Sequence, residues 1–458
     1  MTILAMLGMM LGDPSLIWVL MHHGQSSMGE EMSYFPIVIV DPVIKLAFMD
    51  SPYWSSDLEL SERLKLAPQK TITEEEPYIG LLLDRALPEW LASKSFDLSW
   101  SQDANESPKD WQRRAHEYFC ATLRWNDAQN REFDPVVRNV SEKDGYRRTE
   151  LELTLTYPLR APATILEPLD EVKSGRPGVL LLHCMGGYRL YGREKLLPCD
   201  GESESLKEYQ RNCYSGRNIA EALVKRGYVV MAIDAFNFGE RTFNAAKNPE
   251  AFREWRKGVK DIAESWPYTK VIGGTEESDL IRCIESSGKS WISLILNDDI
   301  RSLDFLSQWP SVDPARIGCG GLSYGGYRTN LLTAFDQRVR AAVSVCWTSS
   351  INEAVLHNPN GTGWFMHMRD LFTRMDLPDI QSLIAPRAFM SVSGWEDTLF
   401  TPYSTAVAHD KLRRFFTAYG CPEQLGSLIL PTVHEFNLSM QDSAFDFFDE
   451  KLKAPASV

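Results

Sequence analysis

The stretch Arg316-Ile-Gly-Cys-Gly-Gly-Leu-Ser-Tyr-Gly-Gly-Tyr327 decides the fold of this 458-residue chain. It places Gly321, Ser323 and Gly325 in a Gly-x-Ser-x-Gly arrangement, directly after an apolar run and directly before a helical pattern. Small residues two positions before and after the serine allow a strand to turn sharply into a helix, with the serine hydroxyl exposed above the helix amides. We therefore expect a nucleophile elbow at Ser323. The alternative is a glycine-rich turn that contains an incidental serine.

The pattern around this stretch predicts an α/β fold with a mostly parallel, doubly wound sheet. From about residue 146, short apolar or β-branched runs alternate with amphipathic helices, as they do when helices cover both faces of a sheet. Eight strands are predicted, over 150–157, 163–167, 178–182, 228–234, 316–322, 340–346, 387–393 and 426–431. The predicted helices between and after them include 216–226, 296–309, 324–335, 405–419 and 439–452.

A catalytic serine needs a base, and the base needs a carboxylate that holds it in the correct tautomer. After this kind of elbow, the acid and then the histidine follow along the chain. Asp397 lies just after the seventh predicted strand and His434 just after the eighth, so we predict them as acid and base of a Ser323 triad. Glu396 is the alternative acid. His409, the other histidine beyond Asp397, falls within a predicted helix and is expected to be a surface or packing residue.

The tetrahedral intermediate of acyl transfer needs two N–H donors, the oxyanion hole. One donor should be the amide of Tyr324, the residue after the nucleophile. The other should come from His183-Cys-Met-Gly-Gly-Tyr188, the loop after the third predicted strand. Cys184 and Met185 occupy positions where glycine is common in such loops. The second donor is therefore the amide of either residue, and we prefer Met185.

Composition and charge exclude several classes of function. The net charge of −14 makes nucleic acids and anionic membranes poor partners, because their phosphates repel a negative protein. The eight cysteines form no Cys-x-x-Cys pair and the histidines show no metal-binding spacing, so we expect no metal and a reducing, cytoplasmic location. A small neutral or cationic substrate fits better.

The chain is expected to divide into residues 1–145, an apolar arm with a helical cap region, and residues 146–458, the catalytic domain. About sixty residues separate the fourth predicted strand, which ends at Asp234, from the next predicted helix, which begins near Leu296, and the insertion at about 241–295 is interpreted as a lid. Residues 1–22 are apolar but lack the basic start and cleavage site of a signal peptide. Such an arm should be buried, most simply against a second subunit, which predicts a homodimer or a larger homo-oligomer.

At these residues the sequence resembles the acetyl xylan esterase and dienelactone hydrolase branch of the α/β-hydrolase superfamily. The resemblance covers about residues 105–452 and is carried by 182–195, 223–241, the elbow with 312–318, and 433–436. It implies the α/β-hydrolase fold and a serine ester hydrolase that acts on a small-molecule ester through an acyl-enzyme, without a cofactor. It also implies that Glu240 and Arg241 form a structural ion pair at the floor of the site.

Two other functions stay open on the sequence. The elbow Gly-Leu-Ser-Tyr-Gly-Gly-Tyr also resembles that of the prolyl oligopeptidase family, although about 145 mostly helical residues ahead of the sheet cannot build the β-propeller those peptidases usually carry. The third hypothesis is a non-catalytic binding protein that has a hydrolase fold. The ordered Ser323, Asp397 and His434 favour an enzyme.

Overall fold

The computed structural model describes residues 86, 89, 90 and 93 and then residues 96–453. Within that range it leaves out 103, 126–131, 171–174, 199–200, 202, 243–248, 261–274, 358–362, 364–365 and 369. The predicted apolar arm at 1–22 therefore lies outside the described residues.

Among the described residues, nine strands form a single mixed sheet in the order β1-β2-β3-β5-β4-β6-β7-β8-β9. Strand β2 is antiparallel to both β1 and β3, and β3 is antiparallel to β5. The pairs from β5 through β4 to β9 are all parallel. The strands are β1 Val136–Lys143, β2 Tyr146–Thr154, β3 Arg160–Pro168, β4 Arg176–Leu182, β5 Val229–Ile233, β6 Val312–Leu322, β7 Val339–Val345, β8 Ala388–Gly394 and β9 Leu425–Leu430. The carboxyl ends of the parallel strands therefore share one edge, where ligands bind in open α/β sheets.

Each of the eight predicted strands coincides with an observed strand, with ends shifted by a few residues. Runs such as β4 are buried at every position, which explains their continuous apolar sequence. Strand β1 was not predicted, because all eight of its residues are exposed and its sequence lacks a buried face. It pairs with β2 along its whole length, so the sheet begins before residue 146.

Helices pack on both faces of the sheet. In the described part of the chain from residue 96 onward, the α-helices are α1 Pro108–Leu123, α2 Glu204–Tyr214, α3 Ile219–Lys225, α4 Pro249–Lys257, α5 Thr275–Ser286, α6 Trp291–Ser307, α7 Tyr324–Phe335, α8 Ile351–His357, α9 Leu377–Ser382, α10 Pro402–Tyr419 and α11 Leu438–Phe448. Helix α7 has the predicted bounds. Helix α6 begins earlier than predicted, where the Ser290 side chain caps the amide of Ser293, and α3 begins later, because Ser215 and Gly216 both have positive φ and end α2.

The core lies in two layers, one on each face of the sheet. Alternate residues of β4 enter different layers: Leu180 and Leu182 pack in one, Val179 and Leu181 in the other. The first layer is closed by α1, α6, α7, α9 and α10, the second by α2, α3 and α11. This two-sided covering holds the strand ends in fixed positions.

The predicted insertion contains helices α4 and α5, and its residues 243–248 and 261–274 lie outside the described part. Its role as a lid remains a prediction. In the described part of the chain, no helix combines the length and the hydropathy needed to cross a membrane.

Candidate active site

Ser323 occupies a sharp turn between β6 and α7. Its backbone has φ of 58° and ψ of −121°, a conformation that costs energy for a residue with a side chain. The Ser323 amide donates to the carbonyl of Val345 at 2.8 Å, which anchors the turn to the end of β7. A strained serine at the top of a strand and the start of a helix is the geometry that the elbow motif requires.

The glycines around Ser323 are required by close backbone contacts. A Cβ added at Gly325 would lie 1.9 Å from the carbonyl oxygen of Leu182, and one at Gly321 would lie 2.2 Å from the same oxygen. At Gly326 the added atom would lie 2.7 Å from the oxygen of Val345. The turn therefore packs directly against the ends of β4 and β7, and side chains at these positions would force it away from both.

Asp397 and His434 lie together at the same edge of the sheet, in the loops after β8 and β9. His434 Nδ1 is 2.6 Å from Asp397 Oδ2, and the side chains are 21% and 3% exposed. The second carboxylate oxygen of Asp397 accepts a hydrogen bond from the amide of Leu399 at 2.9 Å. This loop contact fixes the carboxylate, and the carboxylate in turn orients the imidazole.

The electrostatic surroundings make His434 a stronger base than an ordinary histidine. Burial alone would lower its pKa, but the charge of Asp397 and the hydrogen bond to it prevail and raise the pKa above the usual value. His434 Nε2 is buried and has no hydrogen-bond partner among the described residues. The nitrogen remote from the carboxylate is therefore available to take a proton.

The structure separates the two candidate acids and the two candidate bases. Asp397 is buried against His434, whereas Glu396 is exposed. His409 is buried in α10 and lies within hydrogen-bonding distance of the hydroxyls of Ser391 and Ser393, away from any carboxylate among its described contacts. It is a packing residue between α10 and β8.

Cys346 is a residue of this site that sequence reasoning did not identify. It follows β7, and its thiol sulfur lies within 4.8 Å of a carboxylate oxygen of Asp397 and of a ring nitrogen of His434. Burial and the charge of Asp397 raise its pKa well above the usual value, so the thiol stays protonated. The sequence signalled only a small apolar residue at the end of a strand. Here it packs beneath the Asp397–His434 pair.

The loop after β4 adjoins the elbow. Leu182, the last residue of β4, is paired in register with Gly321 of β6, so His183, Cys184 and Met185 leave the sheet beside Ser323. His183 is fully buried: its Nε2 accepts from the amide of Ala235 at 3.0 Å and its Nδ1 donates to the carbonyl of Cys184 at 3.0 Å. Burial and nearby cations lower the pKa of His183 well below the usual value, which keeps the ring neutral for both bonds.

Glu240 and Arg241 do not form the expected ion pair. Arg241 Nη1 donates to Asp298 at 2.7 Å, and Glu240 accepts from Arg193 at 3.1 Å. Arg193 also binds Asp234 at 2.8 Å. Adjacent residues in a helical turn do not face each other, and each here finds a different buried partner.

Comparison with known proteins supports the fold. No protein-family model matches the chain. The curated protein named "Putative hydrolase YtaP" from Bacillus subtilis (strain 168) is 28% identical over 282 residues, which cover 61% of this chain and 78% of that protein.

Two solved structures have a similar fold. One is the crystal structure of a "putative acetyl xylan esterase" from Bacteroides fragilis; its TM-score is 0.59, its identity 16%, and the match covers 78% of this chain and 84% of that one. The other is a glucuronoyl esterase from Solibacter usitatus, with a TM-score of 0.50, 14% identity and coverage of 76% and 94%. The resemblance inferred from the sequence is confirmed at the level of structure: this chain has the α/β-hydrolase fold found in acetyl xylan esterases and related esterases.

Proposed function

We propose that the chain is a serine carboxylic-ester hydrolase that acts on a small ester, an acetyl ester or a related one, through an acyl-enzyme. The observation that carries the proposal is the state of His434: its Nδ1 is held by a buried carboxylate at 2.6 Å, while its buried Nε2 has no partner among the described residues. Ser323 on its strained turn supplies the nucleophile at the same edge of the sheet. The esterase names of the structural relatives support the choice of substrate class.

The reaction takes place in two steps. His434 Nε2 takes the proton of the Ser323 hydroxyl as its oxygen attacks the ester carbonyl, and Asp397 stabilises the imidazolium that results. The negative oxygen of the tetrahedral intermediate is held by the amides of Tyr324 and Met185, with Cys184 as the alternative donor. The imidazolium then protonates the leaving alcohol. In the second step His434 activates water, which releases the acid from Ser323.

Kinetics on a substrate panel test this proposal. The panel is p-nitrophenyl esters of increasing acyl length, acetylated sugars, and aminoacyl anilides as peptidase substrates. We expect turnover of short esters and no hydrolysis of the anilides. Ser323→Ala should lower kcat by about 10⁶-fold, as removal of the nucleophile does in serine hydrolases. Preferential cleavage of the anilides would instead support the peptidase reading, and no turnover of any substrate would support a binding protein.

The remaining expectations are also proposals. We propose that the protein works as a homodimer or a larger homo-oligomer in the cytoplasm, and that it needs neither a metal nor a cofactor. Light scattering of the full chain and of a variant that lacks residues 1–24 tests the first point, since loss of the apolar arm should reduce the mass of the assembly.

A further inference from the structure

A buried lysine lies directly behind the loop that adjoins the elbow. Lys195 is 1% exposed, and its Nζ donates to the carbonyl of Cys184 at 2.9 Å and to the carbonyl of Met185 at 3.0 Å. One ammonium group thus binds two consecutive peptide units of the loop. Lys195 ends the segment 182–195 that carries the family resemblance, but the sequence assigns it no role.

These two bonds determine where the loop amides point. In a trans peptide the C=O and the following N–H point in opposite directions. The Cys184 carbonyl is held by Lys195 and by His183, so the N–H of Met185 must point away from both. The Met185 carbonyl is held by Lys195 and by the amide of Tyr188, which turns the next amide away from the lysine as well.

The elbow packs against the start of the same loop. Gly325 approaches the Leu182 carbonyl and the His183 backbone so closely that a Cβ would collide with the first and press on the second. Within the described part of the chain, no group accepts a hydrogen bond from the N–H of Met185. A donor with a fixed direction and no partner of its own is what an oxyanion hole requires.

We propose that Lys195 is a positioning residue that holds the Cys184 and Met185 carbonyls on one side and so directs the Met185 amide toward the oxyanion of the Ser323 reaction. The inference rests on the proposed function and extends it, because it selects Met185 over Cys184 and assigns the selection to Lys195. Lys195 touches neither the substrate nor Ser323 in this role.

The surroundings of Lys195 suit a fixed cation. Its Nζ lies 4.9 Å from the centre of the Tyr209 ring and 5.3 Å from that of Phe238, and aromatic faces stabilise a desolvated ammonium. Burial lowers its pKa to about 8, against the opposing influence of the negative charge that Cys184 and Cys213 can carry and, to a smaller extent, of Glu194 and Asp234. Burial of a charge is costly unless it is hydrogen-bonded, and here the bonds that offset the cost are those to the two carbonyls.

The test is a steady-state comparison of Lys195→Met with a matched control, Arg387→Met. Arg387 is also a buried cation that donates to backbone carbonyls, those of Asp336, Val339 and Thr333, but it lies at the opposite edge of the sheet, before β8. Both variants should lower the melting temperature. Only Lys195→Met should lower kcat on a short p-nitrophenyl ester, by about 10²-fold, the lower end of the cost of losing an oxyanion donor. Its KM should stay within about twofold of wild type.

A second variant separates positioning from simple destabilisation. Lys195→Gln keeps two N–H donors on a side chain one bond shorter, and it should recover part of the kcat lost in Lys195→Met while remaining less stable than wild type. Wild-type kcat in folded Lys195→Met, or equal loss in Lys195→Gln and Lys195→Met, would overturn the inference. If Lys195→Met does not fold, wild-type kcat in Lys195→Gln overturns it. Ser323→Ala tests the proposed function separately, since its activity does not depend on what Lys195 does.

Discussion

Replacement of Gly325 by alanine should damage folding and catalysis together. The added Cβ would lie 1.9 Å from the Leu182 carbonyl oxygen, far inside the 3.4 Å at which ordinary van der Waals contact begins. Neither atom can rotate away, because the carbonyl oxygen belongs to the backbone and the position of a Cβ is fixed by the backbone. The start of α7 and the end of β4 must therefore separate by more than 1 Å.

This separation sets the expected magnitudes. Overpacking of a rigid interior typically costs about 1–3 kcal/mol, and a backbone clash should lie at the upper end, at about 3 kcal/mol. The shift moves Ser323 away from the loop at His183 to Met185, and a misplacement of about 1 Å in an active site can cost about 10²-fold in rate. Both effects should follow from a single methyl group.

The assay combines chemical denaturation with ester kinetics, and Gly258→Ala is the matched control. Among the described residues, a Cβ at Gly258 would find its nearest neighbour in the Trp255 carbonyl oxygen, at an ordinary 3.5 Å, so this variant should keep near-wild-type stability and kcat. If Gly325→Ala instead unfolded at the wild-type denaturant concentration with wild-type kcat, the close contact between the elbow and β4 would be refuted.

Two further predictions follow from the buried charges. Because Asp397 raises the pKa of His434, kcat/KM of the wild type should fall as the pH decreases through a pKa above that of an ordinary histidine. Asp397→Asn should shift this acidic limb of the pH profile to lower pH and lower kcat by about 10⁴-fold. An acidic limb that does not move would contradict the pairing of Asp397 with His434. Arg328 and Asp299 form an ion pair in which both side chains are 1% exposed, so Arg328→Met should lower the free energy of unfolding by about 3–5 kcal/mol. Loss of the exposed Arg113, which pairs with Asp110, should lower it by about 0–1 kcal/mol. Equal effects of the two changes in denaturant titrations would count against the buried pair.

The sequence predicts those parts of the fold whose residues repeat a local pattern. Strands β4 to β9 are apolar and bounded by turn residues, and the Gly321, Ser323 and Gly325 spacing requires a particular turn, so both could be located. The order of Ser323, Asp397 and His434 along the chain then limited the choice of acid and base to very few residues. Strand β1 escaped prediction because no residue of it is buried, and burial is what produces the pattern.

The remaining features depend on contacts between distant segments. Lys195 follows Cys184 by eleven residues, yet only the folded loop brings its ammonium onto the two carbonyls. In the sequence Cys346 is indistinguishable from a small apolar residue at a strand end. Only the folded sheet brings it against Asp397 and His434, which follow β8 and β9. Arg241 pairs with Asp298, fifty-seven residues away, and not with its neighbour Glu240. None of these partners has a fixed spacing that a single sequence could reveal.

The measurement that tests the central claim most directly is the intact mass of the protein after reaction with a fluorophosphonate, followed by peptide mapping. We expect one adduct per chain, located on Ser323, with labelling that slows sharply in His434→Ala and is absent in Ser323→Ala. An unlabelled wild-type protein, or an adduct that persists at the same rate in Ser323→Ala, would contradict the assignment of Ser323 as the nucleophile.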